Sequence, residues 1–199
     1  MLELLAPAGN LDAVIAAVQN GADAVYMGFG GLNARRSARN FTDEEFRAAV
    51  AYCHLRGVKV YLTLNTLLTD RELPGAAAAL RKASAMGVDA VLVQDWGLLT
   101  LAKEIVPDLP LHASTQMSLF TLGGANAAAA LGMERVVLAR ELPLTEIEEL
   151  CRRIPRELEV EVFVHGAMCM SVSGRCLLSQ YLTCLLYTSP SPRDKRQSR

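Results

Sequence analysis

One short pattern recurs four times along the 199 residues and limits the possible folds more than any other feature. Gly21-Ala22-Asp23-Ala24-Val25-Tyr26-Met27-Gly28 is echoed by Gly87-Val88-Asp89-Ala90-Val91-Leu92-Val93-Gln94. It returns as Gly132-Met133-Glu134-Arg135-Val136-Val137-Leu138-Ala139, and as Arg56-Gly57-Val58-Lys59-Val60-Tyr61-Leu62-Thr63 with lysine in the acidic slot. Each glycine follows a helical stretch and suits the left-handed residue that ends a helix. The acidic residue falls in the tight turn, and the apolar run after it reads as a strand buried on both faces.

The rest of the chain fills in as alternating elements. Strands are expected near 2–6, 24–27, 58–64, 89–93, 110–113, 135–138 and 158–164, and helices near 10–20, 43–56, 71–86, 96–106, 119–131 and 143–153. Thr42-Asp43-Glu44-Glu45 is a capping box with acidic residues in the first turn, and Pro143 with Thr145 and Glu146 opens the sixth helix similarly. Strict alternation means a parallel sheet with right-handed crossovers. An open doubly wound sheet would usually carry a glycine-rich dinucleotide loop after its first strand, whereas Ala6-Pro7-Ala8-Gly9-Asn10 is too short and has one glycine. Polar residues at the strand ends favour a (β/α)8 TIM-like barrel, incomplete, with about seven strands present.

Net charge is −1, with basic residues spread along the chain, so composition gives no reason to expect a nucleic-acid surface. No apolar run approaches the ~20 residues that span a bilayer, and the N-terminus lacks the basic n-region of a signal peptide. A cytoplasmic location follows as an expectation, and with it five reduced cysteines that are free, metal-binding or catalytic. Regular patterning stops after Thr183. Residues 184–199 have proline and serine spacing that suits neither helix nor strand, and they look like a translated sequencing adapter. We therefore expect a truncated barrel over 1–183 and a non-native tail over 184–199, in which Cys184 has no role.

The most specific stretch is Glu161-Val162-Phe163-Val164-His165-Gly166-Ala167-Met168-Cys169, continuing Met170-Ser171-Val172-Ser173-Gly174-Arg175-Cys176-Leu177-Leu178-Ser179. It falls at the end of the seventh expected strand, where barrel enzymes place reactive groups. Cys169 and Cys176, flanked by glycines, can converge on one metal centre. Iron–sulfur clusters normally take four thiolates, and spacing alone reads the pair equally as metal ligands or as buried free thiols.

The run from Glu161 to Ser179 resembles the signature of the U32 peptidase family at Glu161, Phe163, Gly166, Ala167, Cys169, Gly174, Cys176 and Ser179. Leu5-Ala6-Pro7-Ala8-Gly9-Asn10, Leu64-Asn65-Thr66, His112-Ala113-Ser114-Thr115-Gln116, Leu138-Ala139-Arg140-Glu141-Leu142 and Val164-His165-Gly166 are similar to further family segments. The resemblance spans nearly all of 1–183. It implies a barrel enzyme labelled either peptidase or oxygen-independent hydroxylase. Its members hydroxylate transfer RNA, ribosomal RNA or a quinone precursor, with prephenate as oxygen donor in some cases. It also implies a 4Fe–4S cluster held by four cysteines, the first two matching Cys169 and Cys176. The next two would follow in an Asn-Arg-Gly-x-Cys-x-x-Pro-Cys segment after Thr183, which this chain lacks. Residues 29–36 and Asn40-Phe41-Thr42 look most like the ribosomal-RNA-hydroxylase branch.

Against this background, His165 and Cys169 form the one arrangement that resembles a cysteine-peptidase pair, but no third orienting group is evident and Cys176 has no task in that mechanism. There is no His-Glu-x-x-His zinc motif, and Ser171 and Ser173 lack a nucleophile-elbow context. Asn65, Gln94, Asp95, His112, Ser114, Gln116, Arg140 and Glu141 fall at or just past expected strand ends and would converge on one barrel rim. Asn65, Gln94, Asp95, Ser114 and Gln116 read as substrate-binding. His112, Arg140, Glu141 and His165 read as catalytic, with Arg140 able to grip a carboxylate such as that of prephenate and His112 able to transfer protons. Each could instead simply close the barrel mouth. Arg35, Arg36 and Arg39 read as a solvated loop more readily than as an RNA contact, Cys53 and His54 as structural, and Trp96 and Met117 as packing residues. The leading expectation is an iron–sulfur, oxygen-independent RNA hydroxylase of undetermined oligomeric state. A U32 peptidase and a non-catalytic barrel scaffold are the alternatives. The polypeptide as it stands is expected to be inactive, because two thiolates do not complete a cluster site.

Overall fold

The computed structural model describes residues 2–28, 41–166 and 172–173. Among them are seven short strands: β1 (Leu5–Pro7), β2 (Ala24–Gly28), β3 (Lys59–Leu64), β4 (Ala90–Val93), β5 (Leu111–Ala113), β6 (Arg135–Val137) and β7 (Glu159–Glu161). They alternate with α1 (Leu11–Gln19), α2 (Asp43–His54), α3 (Leu73–Ala85), α4 (Trp96–Ile105), α5 (Leu122–Ala130) and α6 (Leu144–Arg153). The sheet order follows chain order from β1 to β7 without reversal. A doubly wound sheet reverses its order at the switch point, so this progression is that of the (β/α) barrel.

The chain divides into two compact units, residues 1–111 and 112–199. In the first, β1, β2, β3 and β4 pair in parallel, with Ala24 opposite Lys59 and Leu62 opposite Val91. Alternation sorts β3 into two faces. Val60, Leu62 and Leu64 are inaccessible and join Val14, Phe46, Val50 and Leu80 in the apolar core. On the other face the Tyr61 hydroxyl donates to the Glu3 carboxylate at 2.9 Å, and the Thr63 hydroxyl donates to the Met27 carbonyl at 3.1 Å. In the second unit β5, β6 and β7 pair in parallel, with His112 opposite Arg135 and Arg135 opposite Glu159.

The repeat performs the turn chemistry that its composition implies. Gly21, Gly57, Gly87 and Gly132 all have positive φ, between 71° and 87°, which only glycine adopts without a steric penalty. Asp23 accepts from the Leu4 backbone N–H at 2.8 Å, and Asp89 from that of Val60 at 2.7 Å. The acidic slot thus ties the turns before β2 and β4 to the start of the preceding strand. The lysine version cannot accept a hydrogen bond, and Lys59 instead reaches Glu3 at 3.2 Å.

Helix starts agree with expectation at α2, where Thr42 and Glu45 form the reciprocal capping box. The fifth helix starts three residues later than its alanine-rich composition predicts. A 3₁₀ turn (Thr115–Met117) comes first, Ser118 is left-handed at φ 55°, and the Leu119 carbonyl accepts from the Ala139 N–H at 3.1 Å. Thr121 then caps α5 through the Gly124 N–H. The seventh strand is shorter than its apolar run, and Val162, Phe163 and Val164 beyond it are exposed. Trp96, expected to pack, is 57% exposed at the first position of α4. No helix among the described residues is long and apolar enough to cross a membrane. The basic loop of Arg35, Arg36 and Arg39, most of the cysteine loop and the 184–199 tail lie outside the described residues.

Candidate functional site

In the first unit, Asn65 and Gln94 each follow directly on a strand, β3 and β4, and are half-buried. Asp95 is committed structurally. Its Oδ1 caps α4 by accepting from the Leu98 N–H at 2.9 Å, and its Oδ2 accepts from the Leu68 N–H at 3.3 Å.

The second unit contains the more organised group. His112 lies on β5 and is 4% exposed, so its ring belongs to the interior rather than to an open mouth. Ser114 is buried just beyond, its hydroxyl accepting from the Gln116 N–H at 3.3 Å to start the 3₁₀ turn. Arg140 and Glu141 follow β6, and between them they hold Ser173. Ser173 Oγ accepts from both the backbone N–H and Nε of Arg140, each at 3.3 Å. The Ser173 N–H donates to Glu141 Oε1 at 2.7 Å. From the other side, the Ser118 hydroxyl donates to the Ser173 carbonyl at 2.8 Å. The Arg140 guanidinium also lies 5.3 Å from the centroid of the Phe163 ring, within cation–π range.

Burial of the Glu141 carboxyl works to raise its pKa. The hydrogen bonds from the Ser173 backbone and hydroxyl, with its own backbone N–H and the Arg140 charge, outweigh that and hold it below the ordinary value. Glu141 is therefore an anion at neutral pH and poorly suited to donate a proton. His165 is exposed beyond β7.

Arg135, on β6, is a residue that sequence reasoning passed over. Its side chain is 8% exposed. Nε donates to Glu159 Oε2 at 2.8 Å, Nη2 pairs with the same carboxylate, and Nη1 lies 3.7 Å from Glu161 Oε2. The signal was present: an arginine inside an apolar strand, and a Glu-Val-Glu alternation on the next. Ser173 was considered only as a nucleophile. Its position between the two cysteines was the clue to a different task.

Cys169 and Cys176 lie outside the described residues. Among the described residues no group of three or more histidine, cysteine or carboxylate side chains could hold a metal. Cys53 is buried in α2, where burial and the nearby Asp89 charge, against the opposing Arg56 charge, push its thiol up to about 11. It is structural, as is His54, whose Nε2 lies 3.0 Å from Asp89 Oδ2. Cys151 is exposed on α6.

The family model for peptidase family U32 matches residues 9–193. The chain belongs to peptidase family U32. An uncharacterized protease of Methanocaldococcus jannaschii is 42% identical over 185 residues, covering 92% of this chain and 45% of its own length. The tRNA hydroxylation protein P of Helicobacter pylori is 40% identical over 179 residues, covering 89% and 42%. A 23S rRNA 5-hydroxycytidine synthase of Escherichia coli is 39% identical over 182 residues, covering 92% and 27%. This U32 chain thus spans less than half the length of the curated relatives it matches. Among solved structures, the U32 peptidase Mk0906 superposes with a TM-score of 0.70 at 18% identity, over 84% of this chain and 70% of that one. That likeness supports the fold alone.

Proposed function

We propose that this chain is part of a cytoplasmic, iron–sulfur-dependent, oxygen-independent RNA hydroxylase. The observation that carries the reading is the 39–40% identity, along some nine tenths of the chain, to relatives named for tRNA hydroxylation and for 5-hydroxycytidine synthesis in ribosomal RNA. Cys169 and Cys176 would supply two thiolates to a 4Fe–4S cluster, with the remaining ligands outside this sequence. When bound, such a cluster supplies electron transfer or Lewis acidity.

The chain's own residues have separable tasks. Arg140 spends Nε on Ser173, which fixes the guanidinium plane against Phe163. Its Nη groups then offer a fork to a carboxylate, such as that of a prephenate-type oxygen donor, or to an RNA phosphate. Glu141, anionic and bonded to the Ser173 N–H, orients rather than transfers. His112, inside the second unit, is the candidate for proton transfer to a small co-substrate. Asn65, Gln94, Ser114 and Gln116 add donors and acceptors at strand ends for substrate binding.

The test is made on the full-length protein purified without oxygen. Iron and acid-labile sulfide are assayed, and RNA incubated with it is digested to nucleosides and weighed for one added oxygen. Bound iron and a gain of one oxygen, both abolished in Cys169→Ala, are the expected results. The identity to a named protease favours a second reading, Cys169-dependent proteolysis aided by His165. A metal-free protein that cleaves peptides and is stopped by thiol alkylation would establish that reading and overturn the first.

A further inference from the structure

Trp96 is the one tryptophan of the sequence, and it is 57% exposed, although burying such a ring removes about 150–250 Å² from water. Nothing in α4 calls for tryptophan at this place. The helix packs through Leu98, Leu99 and Ala102, all buried, and Trp96 stands off that face. Asp95 caps the helix through the Leu98 N–H whichever residue lies between them, and the Trp96 backbone carbonyl accepts from the Thr100 hydroxyl at 3.1 Å. Among the described residues the indole itself makes no hydrogen bond and no aromatic contact. Its mounting is nonetheless fixed. Asp95 Oδ2 accepts from the Leu68 N–H at 3.3 Å, which ties the segment after β3 to the start of α4. Leu67 adjoins that bond on one side as Trp96 does on the other, and it is 69% exposed. Leu64 lies opposite Val93, so Asn65 and Gln94 leave β3 and β4 side by side, each with an amide that both donates and accepts. A fixed flat ring, a second exposed apolar side chain and two half-buried amides thus share one corner of the strand-end rim, the rim at which barrel enzymes bind substrates. All of them belong to the first unit.

We propose that the Trp96 indole is a stacking platform for an unpaired nucleobase of the RNA substrate. The proposal rests on the RNA reading above and adds a binding residue to it. RNA is read chiefly where its bases are unpaired, and a base splayed from a single strand regains on an aromatic face the stacking it loses to its neighbours. Every base has such a face, so the platform accepts purines and pyrimidines alike. Asn65 and Gln94, at the adjoining strand ends, carry the donors and acceptors that meet a base edge. A peptide would engage the same corner through any bulky apolar side chain, and the choice of variants separates the two.

The experiment uses the full-length protein and two probes, a short single-stranded RNA of mixed sequence and an abasic ribose–phosphate chain of the same length. Affinity for each is measured by fluorescence anisotropy in the native sequence and in Trp96→Ala, Trp96→Leu and Trp96→Phe, with circular dichroism as the check on folding. Trp96→Ala is expected to weaken binding of the base-bearing RNA by roughly ten- to a hundredfold and to leave the abasic chain unaffected. Trp96→Phe, which keeps an aromatic face, should recover most of the affinity, and Trp96→Leu, which keeps only apolar bulk, should not. The emission present in the native protein and missing from Trp96→Phe should be quenched by the base-bearing RNA alone. Native affinity in a folded Trp96→Ala protein, an equal loss on both probes, or full rescue by leucine overturns the platform. If RNA still gains an oxygen in that case, the hydroxylase reading stands and stacking alone falls. If the native protein neither binds nor oxygenates RNA, both fall together.

Discussion

Asp89 Oδ2 accepts from the backbone N–H of Val60 at 2.7 Å, joining the turn before β4 to the second residue of β3. Val60 is fully buried, so its N–H has no water to fall back on. Asp89→Ala leaves that donor unsatisfied and is expected to cost about 1–3 kcal/mol. Asp89→Asn keeps an acceptor and should cost less. Urea unfolding of the two variants measures the difference. If Asp89→Ala is as stable as the native chain, the repeat's acidic slot is not a structural tie.

The two described cysteines should differ sharply in reactivity. Alkylation needs the thiolate, and Cys53 is buried with its thiol pushed up to about 11, whereas Cys151 is exposed. In native protein at neutral pH, a maleimide should modify Cys151 and leave Cys53 untouched until the chain is denatured. Rapid native labelling of Cys53 would mean that α2 does not pack as described.

Arg135 sits between Glu159 and Glu161, and its side chain is far less exposed than that of Glu159. Removing the arginine strands the more buried carboxylate of Glu161, and breaking a buried pair from one side typically costs ~3–5 kcal/mol. Glu159→Ala, which removes the solvent-facing partner, is expected to cost about 1 kcal/mol or less. Equal losses on denaturant unfolding would show that the ion pairs act as surface pairs and that Glu161 reaches water.

Much of the fold was legible because one local rule, glycine then an acidic residue then an apolar run, is reused at the turns before β2, β4 and β6. Gly21, Gly87 and Gly132 need no tertiary information to be read as helix ends. Legibility failed where tertiary contacts override local preference. Leu119 belongs compositionally to the alanine-rich helix, yet its carbonyl is taken by Ala139 and the helix starts at Leu122. Trp96 looks like a core residue by type, but Asp95 caps α4 at that point and leaves the indole outside. At the candidate site, Arg140 and Glu141 were recognisable as a polar pair past a strand. That their partner is Ser173, more than thirty residues on, is a relation no spacing rule could supply. Asp95 illustrates the opposite error in kind, since a carboxylate at a strand end reads as substrate-binding and also makes a good N-cap.

The Glu141 carboxyl provides a direct titration of the Ser173 contact. Its folded pKa lies below its ordinary value of 4.5 because hydrogen bonds from Ser173 and its own backbone, with the neighbouring Arg140 charge, outweigh the effect of burial. For a depressed carboxyl the stabilisation is fully present above the unfolded pKa, and it is lost as pH falls through the folded one. The contact should therefore be intact at neutral pH and loosen only below the ordinary carboxylate range. In isotopically labelled protein, the Ser173 amide proton should shift with a midpoint below 4.5 and should show no such transition in Glu141→Gln. A midpoint at or above the ordinary value would mean that the carboxylate does not hold the Ser173 N–H.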